Sequence, residues 1–119
     1  MSRIALVAAG VVAALALAAP IGATSSVTKL TGTVGPGFTI TLKKGTATVK
    51  TLKAGSYKIT VNDKSNMHNF HLKGPGVNRV ITSTPFKGTK TVTVKLKKGS
   101  YTYVCDPHAS LMHHSFKVK

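Results

Sequence analysis

Apolar and polar residues alternate along most of the chain from residue 38 onward. Threonine, valine and isoleucine dominate this pattern, and no window longer than one turn shows the 3.6-residue period of an amphipathic helix. The alternation therefore predicts an all-β domain. About eight strands are expected, at residues 27–34, 38–42, 47–51, 57–62, 68–73, 89–96, 100–105 and 115–119.

Turns rich in glycine, proline and lysine separate these strands. They are centred on residues 43–45, 53–55, 74–76 and 97–99. Short strands at this spacing are typical of a Greek-key sandwich of two sheets. Residues 77–88, which include Pro85, are expected to form an irregular excursion.

A short repeat supports the sandwich prediction. Residues 52–57 and 96–101 both read Leu-Lys-x-Gly-Ser-Tyr. Both copies resemble a tyrosine corner, in which the tyrosine hydroxyl bonds to upstream backbone and fixes the start of the next strand. In the second copy, strand alternation places Tyr101, Tyr103 and Cys105 on one face, so we expect Cys105 to end a strand facing the core.

The N-terminal stretch predicts export. Arg3 precedes an uncharged run at 4–19 and small residues before Thr24, which is the pattern of a cleaved signal peptide. The expected domains are a signal peptide at 1–23 and one domain at 24–119. An uncleaved anchor is the alternative, because about 20 apolar or small residues can span a bilayer. Either form would be extracytoplasmic: periplasmic, at the cell surface or secreted.

The chain is strongly basic, and only one of its cationic residues, Arg3, lies before the mature domain. Lys+Arg 17 against Asp+Glu 2 leaves a formal charge of +15, and the two acids are Asp63 and Asp106. Such an excess predicts an anionic partner: a redox protein with an acidic docking surface, an anionic membrane or a cell-wall polymer. Export argues against nucleic acid, and a monomer is expected. Because lysines alternate outward along residues 91–97, solubility and edge protection could also explain the charge.

Cys105, His108 and Met112 lie within one turn-sized loop. Thiolate and imidazole donors suit copper, and a weak axial thioether is typical of an electron-transfer site. A second imidazole must come from elsewhere. In the predicted 68–73 strand, His68 shares the apolar face with Phe70 and is the expected donor, whereas His71 lies on the other face and is expected at the surface.

Cys105 and Met112 could also have roles that need no copper. Cys105 could be an inert buried thiol or half of an intermolecular disulfide, and Met112 could be an apolar plug over the loop. A Cys-x-x-His pair also occurs in zinc and haem sites. Zinc usually needs more cysteines or histidines, and covalent haem attachment needs a second cysteine.

The segment Tyr-x-Tyr-x-Cys-x-Pro-His at 101–108, with His68-Asn69 and Met112, resembles the cupredoxin superfamily of plastocyanin/azurin type, which are small blue-copper electron carriers. The resemblance extends over about residues 38–119. It implies one mononuclear Cu(I)/Cu(II) ion with His68, Cys105 and His108 as strong ligands and Met112 as the long axial ligand. It also implies that Asn69 braces the Cys105 loop without touching the metal.

The resulting hypothesis is an exported one-electron carrier that transforms no substrate and is not an enzyme. By the resemblance, the exposed edge of His108 would be the electron port, surrounded by apolar residues such as Pro107 and Leu111. The alternative is a copper storage, delivery or sensing protein, with extra donors at Met67, His71, His113 and His114. An adhesion sandwich without metal is a third hypothesis, but it leaves Cys105 unexplained.

Overall fold

The computed structural model describes residues 26–119, which form two five-stranded sheets. The strands are β1 Thr28–Val34, β2 Ile40–Lys44, β3 Ala47–Thr48, β4 Thr51–Leu52, β5 Gly55–Asp63, β6 Phe70–Gly74, β7 Val77–Thr82, β8 Gly88–Leu96, β9 Gly99–Val104 and β10 His113–Val118. The first sheet has the order β3-β2-β1-β5-β8, and the second has the order β4-β10-β9-β6-β7. Both sheets are mixed, because β1 runs parallel to β5 and β4 runs parallel to β10. The all-β sandwich prediction is confirmed.

The core lies between the two sheets and is built by the predicted alternation. In β5, Tyr57, Ile59 and Val61 are buried, whereas Lys58 between them is exposed. The second sheet contributes residues such as Tyr103 to the same apolar cluster. Since a fully buried large apolar side chain contributes about 1.5–3 kcal/mol, burial of this face is the main interaction that holds the sheets face to face.

Both predicted tyrosine corners are present. The Tyr57 hydroxyl donates to the carbonyl of Lys53 at 2.6 Å, and the Tyr101 hydroxyl donates to the carbonyl of Lys97 at 2.7 Å. The Tyr101 ring lies so close to Gly74 that a Cβ there would overlap the ring. Each corner therefore fixes the start of the strand that follows it, β5 in one case and β9 in the other.

Three strand predictions are wrong. Residues 77–82 form β7 rather than an irregular excursion, because the 74–76 turn closes a hairpin in which Gly74 pairs with Val77. The predicted 47–51 strand is two short strands in different sheets, since the chain crosses between them at the buried Val49. The predicted 68–73 strand begins only at Phe70, so His68 and Asn69 belong to the preceding loop.

The two ends of the sandwich differ in character. At one end, here called the loop end, residues 35–39, 64–69, 83–87 and 105–112 connect the strands. The opposite end, the turn end, carries the tight turns at 53–54, 75–76 and 97–98, and the Ala54 amide donates to the Lys119 carbonyl there at 3.2 Å.

The predicted signal peptide or anchor at 1–23 lies outside the described residues. Within residues 26–119, no helix has the length and apolar character needed to cross a bilayer.

Candidate metal centre

Cys105 directly follows β9 and points into the core at the loop end. Its side chain is completely buried, as strand alternation predicts, and its thiol forms no disulfide. The backbone amide of Asn69 donates to its sulfur at 3.4 Å. Cysteine binds metals through its sulfur, as the thiolate.

The loop after Cys105 is held closed by its own backbone. Residues Asp106–His108 form a 3₁₀ turn with Pro107 in its first turn, and the amide of His108 donates to the Cys105 carbonyl at 3.1 Å. The Met112 amide donates to the His108 carbonyl at 2.9 Å, and the Cys105 amide donates to the Met112 carbonyl at 3.0 Å. These bonds bring Met112 back against Cys105, and its side chain is fully buried.

His68 reaches the same place from the 64–69 loop. The residue is 3% exposed, and its Nδ1 lies 3.7 Å from the Cys105 sulfur. The Nδ1 of His108 lies 3.8 Å from that sulfur and 3.1 Å from Nδ1 of His68. All three donor atoms lie within 4.8 Å of one another. One thiol and two imidazole nitrogens that converge in this way fit one mononuclear copper ion.

Phe38 covers the two imidazoles from the solvent side. Its ring centroid lies 5.7 Å from that of His68 and 5.0 Å from that of His108, and both contacts are edge-on. Phe38 as a residue is 58% exposed. Sequence reasoning assigned Phe38 to a strand and missed this contact, because the residue precedes β2 in a loop where alternation carries no signal.

Asn69 links the His68 loop to the Cys105 loop. Its side-chain oxygen accepts from the Asp106 amide at 2.7 Å, and its side-chain nitrogen donates to the Asp106 carboxylate at 2.9 Å. Together with the bond from its amide to Cys105, these contacts are what a bracing role requires. Strand alternation placed Asn69 on the outer face, but it is buried because it turns toward Asp106 rather than entering β6.

The Asp106 carboxylate is the centre of a polar cluster that sequence reasoning did not find. Nδ1 of His71 contacts it at 2.9 Å, Nε2 of His71 contacts the side-chain oxygen of Asn78 at 2.6 Å, and the Lys73 ammonium lies 4.0 Å from it. Burial raises the pKa of Asp106, but hydrogen bonds from Asn69 and His71 and the charges of His71 and Lys73 outweigh burial, so its pKa lies below the usual value.

The remaining histidines do not join the donor cluster. His71 is half-buried on the outer side of β6 and is engaged by Asp106. His113 is exposed and contacts the carbonyl of Ala109 at 2.7 Å, while the His114 ring rests against Tyr103. Met67 is 62% exposed. Across residues 26–119, His68, Cys105 and His108 form the single convergent group of three such donors.

Comparison with known proteins identifies the family. The model of copper binding proteins of the plastocyanin/azurin family matches residues 40–119, so the chain belongs to that family. It is a blue-copper protein of the cupredoxin superfamily, whose members are in general electron carriers rather than enzymes. A search of curated proteins found no match.

Solved structures show the same fold. A copper protein, rusticyanin, is 20% identical, with 81% of this chain and 80% of that chain covered and a TM-score of 0.57. Reduced rusticyanin is 24% identical, with 82% of each chain covered and a TM-score of 0.55. Auracyanin A, a blue copper protein of the green photosynthetic bacterium Chloroflexus aurantiacus, is 20% identical, with 79% and 100% covered and a TM-score of 0.54.

Proposed function

We propose that this protein is an extracytoplasmic one-electron carrier that binds one copper ion through His68, Cys105 and His108, with Met112 as the weak axial ligand. The observation that carries the proposal is the convergence of the three donor atoms within 4.8 Å at the loop end. Extracytoplasmic location rests on the signal-like pattern at 1–23.

Copper bound here would supply the centre that gains and loses the electron. The protein's part is to hold the ligands still and to exclude water. Cys105 and Met112 are both fully buried, and backbone bonds close the loop between them. Because Asn69 also binds this loop at two points, the ligand positions can stay nearly constant when the charge of the metal changes.

The electron port in this proposal is the partly exposed ring of His108. Exposed apolar side chains stand at the same end of the molecule, including Phe38 in contact with the ring and Leu111, which is 67% exposed. An apolar rim allows close approach of a partner with little desolvation cost. We expect a redox protein with an acidic docking surface, which would meet exposed lysines of the loop end such as Lys64 and Lys87.

Copper storage, delivery or sensing is the alternative function. It depends on extra donors near the first site, and His71, His113, His114 and Met67 were the candidates. Within the described residues none of the three histidines enters the convergent group, and His71 is held by Asp106 and Asn78. The carrier proposal therefore accounts for more of the site.

Absorption spectroscopy and voltammetry of the copper-loaded protein test the proposal. We expect one copper per chain, an intense thiolate-to-Cu(II) band and a reversible one-electron wave. Cys105→Ser should lose the band, because a serine hydroxyl stays protonated and binds Cu(II) poorly. His113→Ala is the matched control and should keep it. Irreversible voltammetry with rapid loss of Cu(I) to an acceptor would instead support copper delivery.

A further inference from the structure

Lysines are concentrated at the turn end of the sandwich. Lys53, Lys97 and Lys98 lie in its tight turns, and Lys44, Lys53 and Lys119 line a cleft of about 770 Å³ between the two sheets. These five side chains are all exposed and are called here the turn-end lysine cluster. All five belong to the same end of the sandwich, three of them around the cleft and Lys97 and Lys98 in the turn between β8 and β9.

Both acids of the chain lie at the other end. Asp63 is buried at the end of β5, where it pairs with Val34 and Gly88. Asp106 follows Cys105 and is bonded to Asn69 and His71. No carboxylate side chain therefore opposes the turn-end lysine cluster. The protein carries a positive patch without acidic side chains, separated from its metal centre by the length of the sandwich.

The chain also enters the fold at the turn end. β1 begins at Thr28, which pairs with Tyr57 near the start of β5, and Ser26 lines the same cleft as Lys53 and Lys119. The sequence before this point contains the apolar run at 4–19, the segment with affinity for a bilayer during export or anchoring. The first described residues of the chain therefore lie at the same end of the sandwich as the turn-end lysine cluster.

We propose that the turn-end lysine cluster docks on the anionic phospholipid surface of a membrane, so that the loop end and its metal centre face away from the bilayer. Charge complementarity calls for an anionic surface, and the point of chain entry, next in sequence to the apolar run, favours lipid over a protein. An acidic redox protein bound at this cluster would sit at the far end from His108, where the electron path is longest. The lysines that could serve such a partner are those of the loop end.

Vesicle binding by the full chain tests this proposal. Binding is compared between vesicles of phosphatidylcholine and vesicles of an equal mixture of phosphatidylcholine and phosphatidylglycerol. The ratio of the two partition coefficients isolates the electrostatic contribution to vesicle binding, because the apolar segment contributes equally to binding of both kinds of vesicle. Each lysine near an anionic surface contributes about fivefold, so Lys53→Gln/Lys97→Gln/Lys98→Gln should lower the ratio by roughly 100-fold.

The matched control carries the same change in net charge at the other end. Lys64→Gln/Lys87→Gln/Lys90→Gln should lower the ratio by less than about fivefold, because these side chains would face away from the lipid. Equal losses in the two triple variants, or no preference of the wild type for the anionic vesicles, would overturn the proposal. The proposal would also be overturned if the turn-end triple variant kept its vesicle binding but transferred electrons more slowly to an acidic redox protein.

Lysine acetylation measured by mass spectrometry gives an independent readout of orientation. On the mixed vesicles Lys97 and Lys98 should be protected relative to the phosphatidylcholine vesicles, whereas Lys64 and Lys87 should not. Protection at the loop end instead would contradict the orientation. Vesicle binding and lysine acetylation do not need bound copper, so a negative result in either would leave the proposed electron-carrier function intact.

Discussion

At the scale of single residues, the choice between His68 and His71 decides how the site is built. His68 is buried with Nδ1 near the Cys105 sulfur, whereas both ring nitrogens of His71 are engaged by Asp106 and Asn78. We expect His68→Ala to weaken copper binding and to alter the thiolate-to-Cu(II) band, because one of the two imidazole donors is lost. His71→Ala should leave the band nearly unchanged. The measurement is the absorption spectrum of each variant at equal copper loading. A band that changes in His71→Ala but not in His68→Ala would mean that the wrong histidine has been assigned.

Met112 should tune the potential of the site rather than hold the metal. A thioether donates weakly to copper, and this donation favours Cu(II) over Cu(I). Met112→Leu keeps the volume of this fully buried side chain and removes the sulfur, so the variant should fold, bind copper and show a higher reduction potential. Met112→Gln should lower the potential, since an amide oxygen is a harder and stronger donor to Cu(II). Voltammetry compares the three proteins, and coincident potentials would make Met112 a packing residue only.

Asp106 should make the stability of the metal-free protein depend on acid pH. Its pKa is lower in the folded state than its usual value, so its contribution to stability is present above about pH 4 and is lost as the pH falls through the folded-state value. The contribution is modest because the carboxylate is 45% exposed. Urea midpoints of the wild type and Asp106→Asn, measured at neutral pH and near pH 3, should differ at neutral pH and converge in acid. A constant difference would show that the charge of Asp106 is not involved.

At the scale of strands and turns, sequence patterns were reliable where one face is buried and a turn precedes the strand. β5 and β9 satisfy both conditions, and both follow a tyrosine corner. β7 was missed because it is an edge strand whose residues 78–80 are all exposed, so it shows no period of two. β3 and β4 have two residues each, too few for any period to appear.

Parts of the site were predictable from the sequence only where a local spacing or alternation carries the signal. Cys105, His108 and Met112 are close in sequence, and their spacing alone indicates a shared site. His68 was correctly predicted to face inward, but it does so from a loop and not from a strand. The roles of Asp106, Asn78 and Phe38 depend on contacts between separate loops and strands, for which a single sequence has no local signal.

The two tyrosine corners should contribute unequally to stability. The Tyr57 hydroxyl makes one hydrogen bond, whereas the Tyr101 hydroxyl donates to the carbonyl of Lys97, lies 3.3 Å from that of Pro75, and accepts from the Lys97 amide. At about 1 kcal/mol for each net hydrogen bond, Tyr57→Phe should cost about 1 kcal/mol and Tyr101→Phe about 2 kcal/mol. Urea unfolding of the metal-free variants measures both. Equal costs would show that the additional contacts of Tyr101 add nothing.

At the scale of the whole molecule, net charge predicted an anionic partner but not where that partner binds. The position of each lysine depends on the sheet order, so the separation between the turn-end lysine cluster and the loop end emerges only from the fold. Our proposals assign two kinds of partner to the two ends of one basic protein. The loop end retains Lys64 and Lys87 near the proposed electron port, and the port itself is apolar.

Electron transfer to an acidic redox protein should consequently depend on few of the lysines. Raising the salt concentration should slow the bimolecular rate, because long-range attraction is screened beyond about 10 Å at 0.1 M ionic strength. Lys64→Gln/Lys87→Gln should reduce this salt dependence, while Lys97→Gln/Lys98→Gln, with the same change in net charge, should reduce it less. The difference arises because the first pair would lie beside the docked partner, within the screening length, and the second pair would lie at the opposite end of the sandwich.

Stopped-flow rates over a series of salt concentrations measure both variants. Equal effects would mean that net charge alone attracts the partner, and rates insensitive to salt would confine all of the lysines to solubility or to membrane docking.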